Sequence, residues 1–340
     1  MRLLARAALL LSCALASPLA LADGTDYSTH PRVPELLDRL REQYGFSEAE
    51  LQGVTTALGE ARQLPQLISQ EQKAPERTET WTQYSRRIDT ARIQAGVALL
   101  REHRDVLARA ELEYGVPPAL IAGILGIETR YGRITGNIRV LDALATQGFE
   151  HPTRSKFFFS ELVEFFALCR DGGLDPLQPK GSYAGAMGDA QFMPSNYRRL
   201  ALDYDGDGKR DLWSLPDAIG SIANYFTHYQ PAWRWRRGEP IAVPAKLTAS
   251  SLPAGAVPNS RDNFYKAGEL KRAGIVPAVE LPADTLVGLI ELPLDDGSRE
   301  YWLAFPNFYS VMTYNPRVFY AMAVTQLAQR IEAAAAGAPP

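Results

Sequence analysis

The fold turns on residues 117–132, PPALIAGILGIETRYG. Pro117 and Pro118 suit the first turn of a helix, where a missing N–H costs nothing. From Ala119 to Ile127 every residue is apolar or glycine, so this helix has no polar face and has to be buried. It ends on Glu128, the first charged residue after Glu113. Desolvation and the negative end of the helix dipole, if the helix ends near Tyr131, both disfavour the ionised form of that carboxyl. A carboxylic acid kept protonated near neutral pH is what cleavage of a glycosidic bond needs, to protonate the leaving oxygen. The bland alternative is a terminal Glu paired with Arg130 or Arg133, since paired carboxylates are common.

Outward from that stretch the pattern is mainly helical. Ser47 with Glu50 makes a capping box for a helix through about Leu58. Residues 89–114 read as one long amphipathic helix that Gly115 can end, and a further helix is expected over 155–170. Residues 181–194, GSYAGAMGDAQFMP, form a glycine-rich loop leading into a short helix. Residues 203–217 form an Asp/Gly-rich loop followed by a helix through about Tyr229. From 239 prolines recur and short β-type runs appear; 285–292 and 300–305 flank Asp295-Asp296-Gly297-Ser298 as a hairpin. A final helix begins near Asn315-Pro316 and fades into an Ala/Pro tail. The fold class is therefore mainly α with a small β insert, an α+β protein.

Composition fits that reading. The 340 residues are 46% hydrophobic and 22% charged, which suits a globular chain with ample core and not a disordered one. A net charge of −3 gives no basic face for nucleic acid. Arg2 and Arg6, the apolar run 7–15 and Ala20-Leu21-Ala22 read as an export signal cleaved near Ala22. The protein is thus expected to be periplasmic and soluble. Cys13 would leave with the signal, so Cys169 has no internal disulfide partner. Leu10-Leu11-Ser12-Cys13 mimics a lipoprotein site, but the apolar run before it is short, which favours cleavage at Ala22. No later apolar run approaches the length of a transmembrane span.

Two loops carry chemistry. In the first, Gly181, Gly185 and Gly188 bracket Ser182 and Tyr183, with Gln191 following. Glycines let backbone approach a ligand closely, and neutral polar groups with an aromatic suit sugar hydroxyls and amides; Gly-Lys-Ser/Thr, the phosphate signature, is absent. A tight interhelical connector is the alternative. In the second loop Asp203, Asp205 and Asp207 occupy positions 1, 3 and 5 of an EF-hand pattern, and Gly208 position 6. The standard Glu at position 12 is Ser214. Asp217, at position 15, can close an enlarged loop, with the Lys209 carbonyl at position 7 and Asp211 at position 9 as further oxygens. Carboxylates so close together repel without a cation, which favours calcium over a bare turn.

Together GIETRYGRITGNIRVLDALAT (126–146), SYAGAMGDAQFMPSNY (182–197), DYDGDGKRDLWSLPDAIGSIANYF (203–226) and NFYSVMTYN (307–315) resemble the B-type lytic transglycosylases of bacterial cell walls. The resemblance spans most of 30–330, including the enlarged calcium loop. It implies a goose-lysozyme-like helical core, and it divides the chain into a signal peptide (1–22), an N-terminal helical domain (23–115), a catalytic core (116–235), a small β domain (236–306) and a C-terminal helix with a disordered tail (307–340). By resemblance Glu128 is the single acid and base at the β-1,4 bond between N-acetylmuramic acid and N-acetylglucosamine, and the muramoyl C6 hydroxyl attacks to leave a 1,6-anhydro end. Ser182 and Gln191 are implied as groove residues, Tyr314 and Asn315 as neighbours of the catalytic carboxyl, Arg154 as a contact for a peptide stem or sugar carboxylate, and Tyr84 as a residue closing the groove. The implied partners are peptidoglycan glycan strands and other cell-wall synthesis or remodelling enzymes. Asn315, preceding Pro316, also suits the N-cap of the last helix. Asp189, if it faced Glu128, would be a second carboxylate and would allow a hydrolytic muramidase. The third reading is a non-catalytic, calcium-stabilised wall-binding protein.

Overall fold

The computed structural model describes residues 26–72 and 78–337. The expected signal peptide with Cys13, and the end of the tail at 338–340, lie outside these residues. The chain opens with helices α1 (Val33–Tyr44), α2 (Glu48–Gly59) and α3 (Gln66–Gln72) and the single turn α4 (Trp81–Tyr84). The capping box is present: the Ser47 hydroxyl accepts the Glu50 N–H, and the Glu50 carboxylate accepts the Ser47 N–H at 2.7 Å.

The expected single helix over 89–114 is two. Asp89 caps α5 (Thr90–Glu102) by accepting the Arg92 N–H at 2.7 Å. His103 then leaves helical geometry (φ −112°, ψ 28°), and α6 (Arg104–Tyr114) starts anew. A one-residue break with neither Gly nor Pro hardly disturbs the apolar period, so periodicity does not register it. The break lets α5 pack on α7 (Pro118–Thr129) and α14 (Val318–Ala335), while α6 packs chiefly on α11 (Leu215–His228).

α7 is the buried axis. Nearly every residue from Ala119 to Gly126 is fully enclosed. It crosses α14 closely because Gly123 has no side chain: a Cβ there would stand 3.0 Å from the Val324 carbonyl oxygen. Around this axis lie α8 (Val140–Glu150) and α9 (Ser155–Asp171), packed on each other, and α10 (Pro194–Leu200). Strands β1 (Ile138–Arg139) and β2 (Lys180–Gly181), too short to show in the sequence, pair antiparallel and pin the loop after α7 to the glycine-rich loop. Among the described residues no single helix is long and apolar enough to cross a membrane.

The insert comprises β3 (Ala242–Leu247), β4 (Tyr265–Lys266), helix α12 (Ala267–Arg272), β5 (Ile275–Pro277), β6 (Leu286–Pro293) and β7 (Arg299–Ala304). The strands form an antiparallel sheet ordered β4-β6-β7-β3-β5, and the expected hairpin is β6–β7. Alternating side chains serve two cores. Val287, Leu289 and Leu303 pack on Leu270 and Ile275 of the insert, whereas Ile290, Leu292, Trp302 and Ala304 join the main helical core. Asp295, in the hairpin turn, accepts the hydroxyl of Thr80, the N-cap of α4, and donates its N–H to Thr82 Oγ1 at 3.1 Å. α13 (Pro306–Tyr314) follows, a helix the sequence reading did not anticipate. The last helix begins at Val318 with Arg317 at its N-cap and no side-chain cap bond; Asn315 instead ends α13, so its expected capping role is not what the structure holds.

Candidate active site

Glu128 sits in the last turn of α7, which ends at Thr129. The chain then reverses through three successive left-handed residues, Arg130 (φ 50°), Tyr131 (60°) and Gly132 (79°). The two non-glycine members cost about 1 kcal/mol each, and the surroundings hold them. The Arg130 and Tyr131 N–H groups both reach the Leu125 carbonyl, the Tyr131 hydroxyl donates to the Arg92 carbonyl at 2.8 Å, and the Gly132 N–H reaches Thr129 Oγ1 at 3.0 Å. The sharp reversal leaves the carboxyl at the negative end of the helix dipole, as expected.

Tyr320, in the first turn of α14, donates a 2.6 Å hydrogen bond to Glu128 Oε1. Tyr314, at the end of α13, packs against Tyr225 with ring centroids 4.7 Å apart and donates to the Ala190 carbonyl at 2.5 Å. Burial, with the Glu128 charge second, pushes both phenols well above their usual range. Both therefore stay protonated donors throughout the physiological pH range.

A cavity of about 1230 Å³ opens over this carboxyl. Of the residues expected at a site, Glu128, Arg154, Ser182, Gln191, Tyr314 and Asn315 all line it. Ser182 Oγ accepts the N–H groups of Ala184 (3.3 Å) and Ala186 (3.1 Å), so it also shapes its own loop. Gln191, held at φ 50°, donates to the carbonyls of Thr135 (3.0 Å) and Gly188 (2.9 Å), bracing the glycine-rich loop against the turn after Glu128. The Arg154 guanidinium lies over Phe157 and Phe158 at 5.0 and 4.9 Å. Tyr84 is not part of this wall. It is 3% exposed, packed between Trp81 and Phe319, and close enough to Tyr320 to bear on that phenol's ionisation.

Asp189 does not face Glu128 across the cavity. It is 4% exposed and lies behind Gly132, where a Cβ would come within 2.8 Å of Oδ2. Burial first, and the Asp211 charge second, push its carboxyl up to about 6. The other carboxylates lining the cavity are committed to the protein. Glu161 accepts the Ser195 N–H (2.9 Å) and hydroxyl (2.7 Å); Glu164 pairs with Arg198 at 2.7 Å.

In the Asp/Gly loop the carboxylates of Asp203, Asp205 and Asp217 bring ligand oxygens within 4.8 Å of one another. That span is about twice a calcium–oxygen distance, so the three can ligate one ion of that size. Asp217, 1% exposed in the first turn of α11, accepts the N–H groups of Tyr204, Asp205 and Asp211, which aims it into the loop. Asp207 departs from the expectation: it is outside this three-residue group, and its Oδ1 accepts the Lys209 N–H at 2.8 Å. The loop is wired to the active site through Leu212. Its carbonyl accepts the Asp189 N–H at 2.7 Å, and the Asp189 carbonyl accepts the Thr129 hydroxyl at 3.2 Å.

Sequence reasoning missed Tyr320, Glu161 and Glu164. Tyr320 lies in an apolar helix where an aromatic reads as core, and Glu161 and Glu164 face Ser195 and Arg198, partners that only the fold brings together.

Comparison with known proteins gives a consistent result. The family described as Transglycosylase SLT domain matches residues 28–329. Membrane-bound lytic murein transglycosylase B of Escherichia coli (strain K12) is 38% identical over 318 residues, covering 91% of this chain and 84% of that protein. The solved structure of the Escherichia coli lytic transglycosylase Slt35 in complex with calcium superposes with a TM-score of 0.80 at 37% identity, covering 93% of this chain and 97% of that one. SltB3 of Pseudomonas aeruginosa, in complex with NAG-anhNAM-pentapeptide, gives 0.70 at 28% identity, covering 88% and 79%.

Proposed function

The chain belongs to the transglycosylase SLT domain family, and from that premise we propose that Glu128 is the single acid and base of its reaction. The enzyme is a lytic murein transglycosylase. It cleaves the β-1,4 bond between N-acetylmuramic acid and N-acetylglucosamine in peptidoglycan and leaves 1,6-anhydromuramic acid ends, for wall remodelling and turnover. Protonated Glu128 gives its proton to the bridging oxygen as the glycosidic bond breaks. The muramoyl C6 hydroxyl then bonds to the anomeric carbon, and its proton passes to the Glu128 carboxylate, which restores the acid. No water is consumed. A second carboxylate is unnecessary, because the nucleophile is already part of the substrate and gains from proximity.

The observation that carries this reading is the Tyr320 hydrogen bond to Glu128 Oε1 beneath a large groove. It holds the carboxyl in one orientation while the groove gives a glycan access. Tyr314 and Asn315 border the reacting sugar, Ser182 and Gln191 shape the adjoining wall, and Arg154 meets a stem or sugar carboxylate. Asp203, Asp205 and Asp217 hold calcium, with the Lys209 carbonyl as a further oxygen; none of the three aspartates lines the cavity over Glu128, so the ion is a staple for the loop and not a reactant. Residues 1–22 direct the chain to the periplasm. The test is a digest of purified peptidoglycan with the native enzyme and with Glu128→Gln. Fragments one water lighter than hydrolysis products, absent with the mutant, are expected; reducing ends would make the enzyme a hydrolase, and an active mutant would remove Glu128 from the chemistry.

A further inference from the structure

We propose that Arg199 and Arg261 form a carboxylate clamp for a peptide stem of the glycan, in the groove that both line together with Tyr229 and Gln230. The inference deepens the functional reading above and rests on it. Both arginines line the same cavity as Glu128, Arg199 from α10 and Arg261 from the β insert. The Arg199 guanidinium lies 5.1 Å from the Tyr229 ring centre, and that of Arg261 lies 5.9 Å from the Trp233 ring centre. Two cations lining one cavity are each held near an aromatic ring, an arrangement that steadies the guanidinium and leaves N–H groups to grip an anion.

Among the described residues neither cation is neutralised by a carboxylate; the bond Arg199 makes is to the Asn196 amide oxygen at 3.3 Å. Glu161 feels the Arg199 charge but is bonded to Ser195. Arg198, by contrast, is taken up by Glu164 and Asp171. An N-acetylated glycan is neutral, because its lactyl carboxyl is amide-linked to the first amino acid of the stem. On stem-bearing glycan the carboxylates that reach this groove are therefore those of the stems. Arg154, stacked on Phe157 and Phe158, belongs to a different element, so the clamp is a second anionic contact contributed in part by the insert. An aromatic ladder joins it to the reacting centre: Tyr229 stacks on Tyr225 at 4.4 Å, and Tyr225 packs on Tyr314 at 4.7 Å.

The test compares peptidoglycan whose stems carry free carboxylates with the same material whose stem carboxyls have been converted to amides, using the native enzyme, Arg199→Gln, Arg261→Gln and the double variant. The ratio of kcat/KM for the free-carboxylate over the amidated substrate is expected to fall about tenfold in each single variant through KM, with Arg261→Lys recovering part of it. Equal effects on both substrates, or no change in the ratio, overturn the clamp. A calorimetric titration with the free anionic stem tetrapeptide reads the same site without turnover. Binding by native enzyme that is lost in the double variant and weakens with salt supports it, and equal binding by both overturns it. An enzyme that cleaves neither substrate yet binds the peptide through these arginines would refute the transglycosylase reading and leave the clamp standing.

Discussion

Tyr320 and Glu128 meet through a 2.6 Å hydrogen bond across 192 residues of chain, joining the last helix to the end of the buried one. The bond sets the orientation of the carboxyl, and it is made by a phenol whose burial keeps it protonated. Replacing Tyr320 with Phe removes one hydroxyl and little volume. A hydrogen bond to a charged group contributes about 1.5–3 kcal/mol, so kcat should fall about 10- to 100-fold with KM nearly constant. Anhydromuropeptide release measured beside a thermal melt checks this; a large loss of stability with unchanged turnover per folded molecule would refute it.

Calcium should act through stability. Binding to the native state alone adds about 2.7 kcal/mol at a hundredfold excess over Kd, so chelation should lower Tm by about 5 °C. Asp217→Asn should abolish the calcium response, whereas Asp207→Asn, outside the three-carboxylate group, should keep most of it. Melting curves with and without calcium read both variants. A calcium response retained in Asp217→Asn would move the site elsewhere.

Asp189 gives a pH dependence of definite sign. Its folded carboxyl is raised to about 6 from an ordinary value of 3.8, with burial the main cause. The folded state therefore holds that proton more tightly than the unfolded chain. The stability it contributes is complete below about pH 4 and is lost as pH rises through about 6. Asp189→Asn should flatten that slope and stabilise the protein at pH 7.5 by at most about 3 kcal/mol, with lytic activity retained. Loss of activity without loss of fold would restore Asp189 as a chemical participant.

Gly126 supports the turn after Glu128. A Cβ there would come within 2.6 Å of the Tyr131 hydroxyl oxygen and 2.8 Å of Leu327. Gly126→Ala should cost about 1–3 kcal/mol and lower turnover by moving the ring that anchors the left-handed pair. Denaturant unfolding measures the first effect. An unperturbed variant would mean that α7 and α14 can separate without penalty.

Much of this was legible in residue order. The apolar run 119–127, the Ser47/Glu50 cap, the hairpin around Asp295-Asp296-Gly297 and the spacing of Asp203 and Asp205 are local signals, and local physics reads them. What escaped is long-range or very short. Tyr320 reads as core because its partner is 192 residues away. The break at His103 is one residue long, β1 and β2 are two residues each, and α13 hides in an aromatic stretch that suits a strand equally well. Arg199 and Arg261 carry no local signal, and only the fold sets them beside Tyr229 and Trp233.

The two-faced sheet has a consequence for anyone wishing to pare the enzyme down. Ile290, Leu292 and Trp302 fill the same core as α7 and α14, while Leu289 and Leu303 fill the insert's own. Excising 236–306 would strip apolar cover from the helices and invite aggregation. The sheet is a keystone rather than an appendage, and a minimal catalyst would have to be trimmed from the ends of the chain.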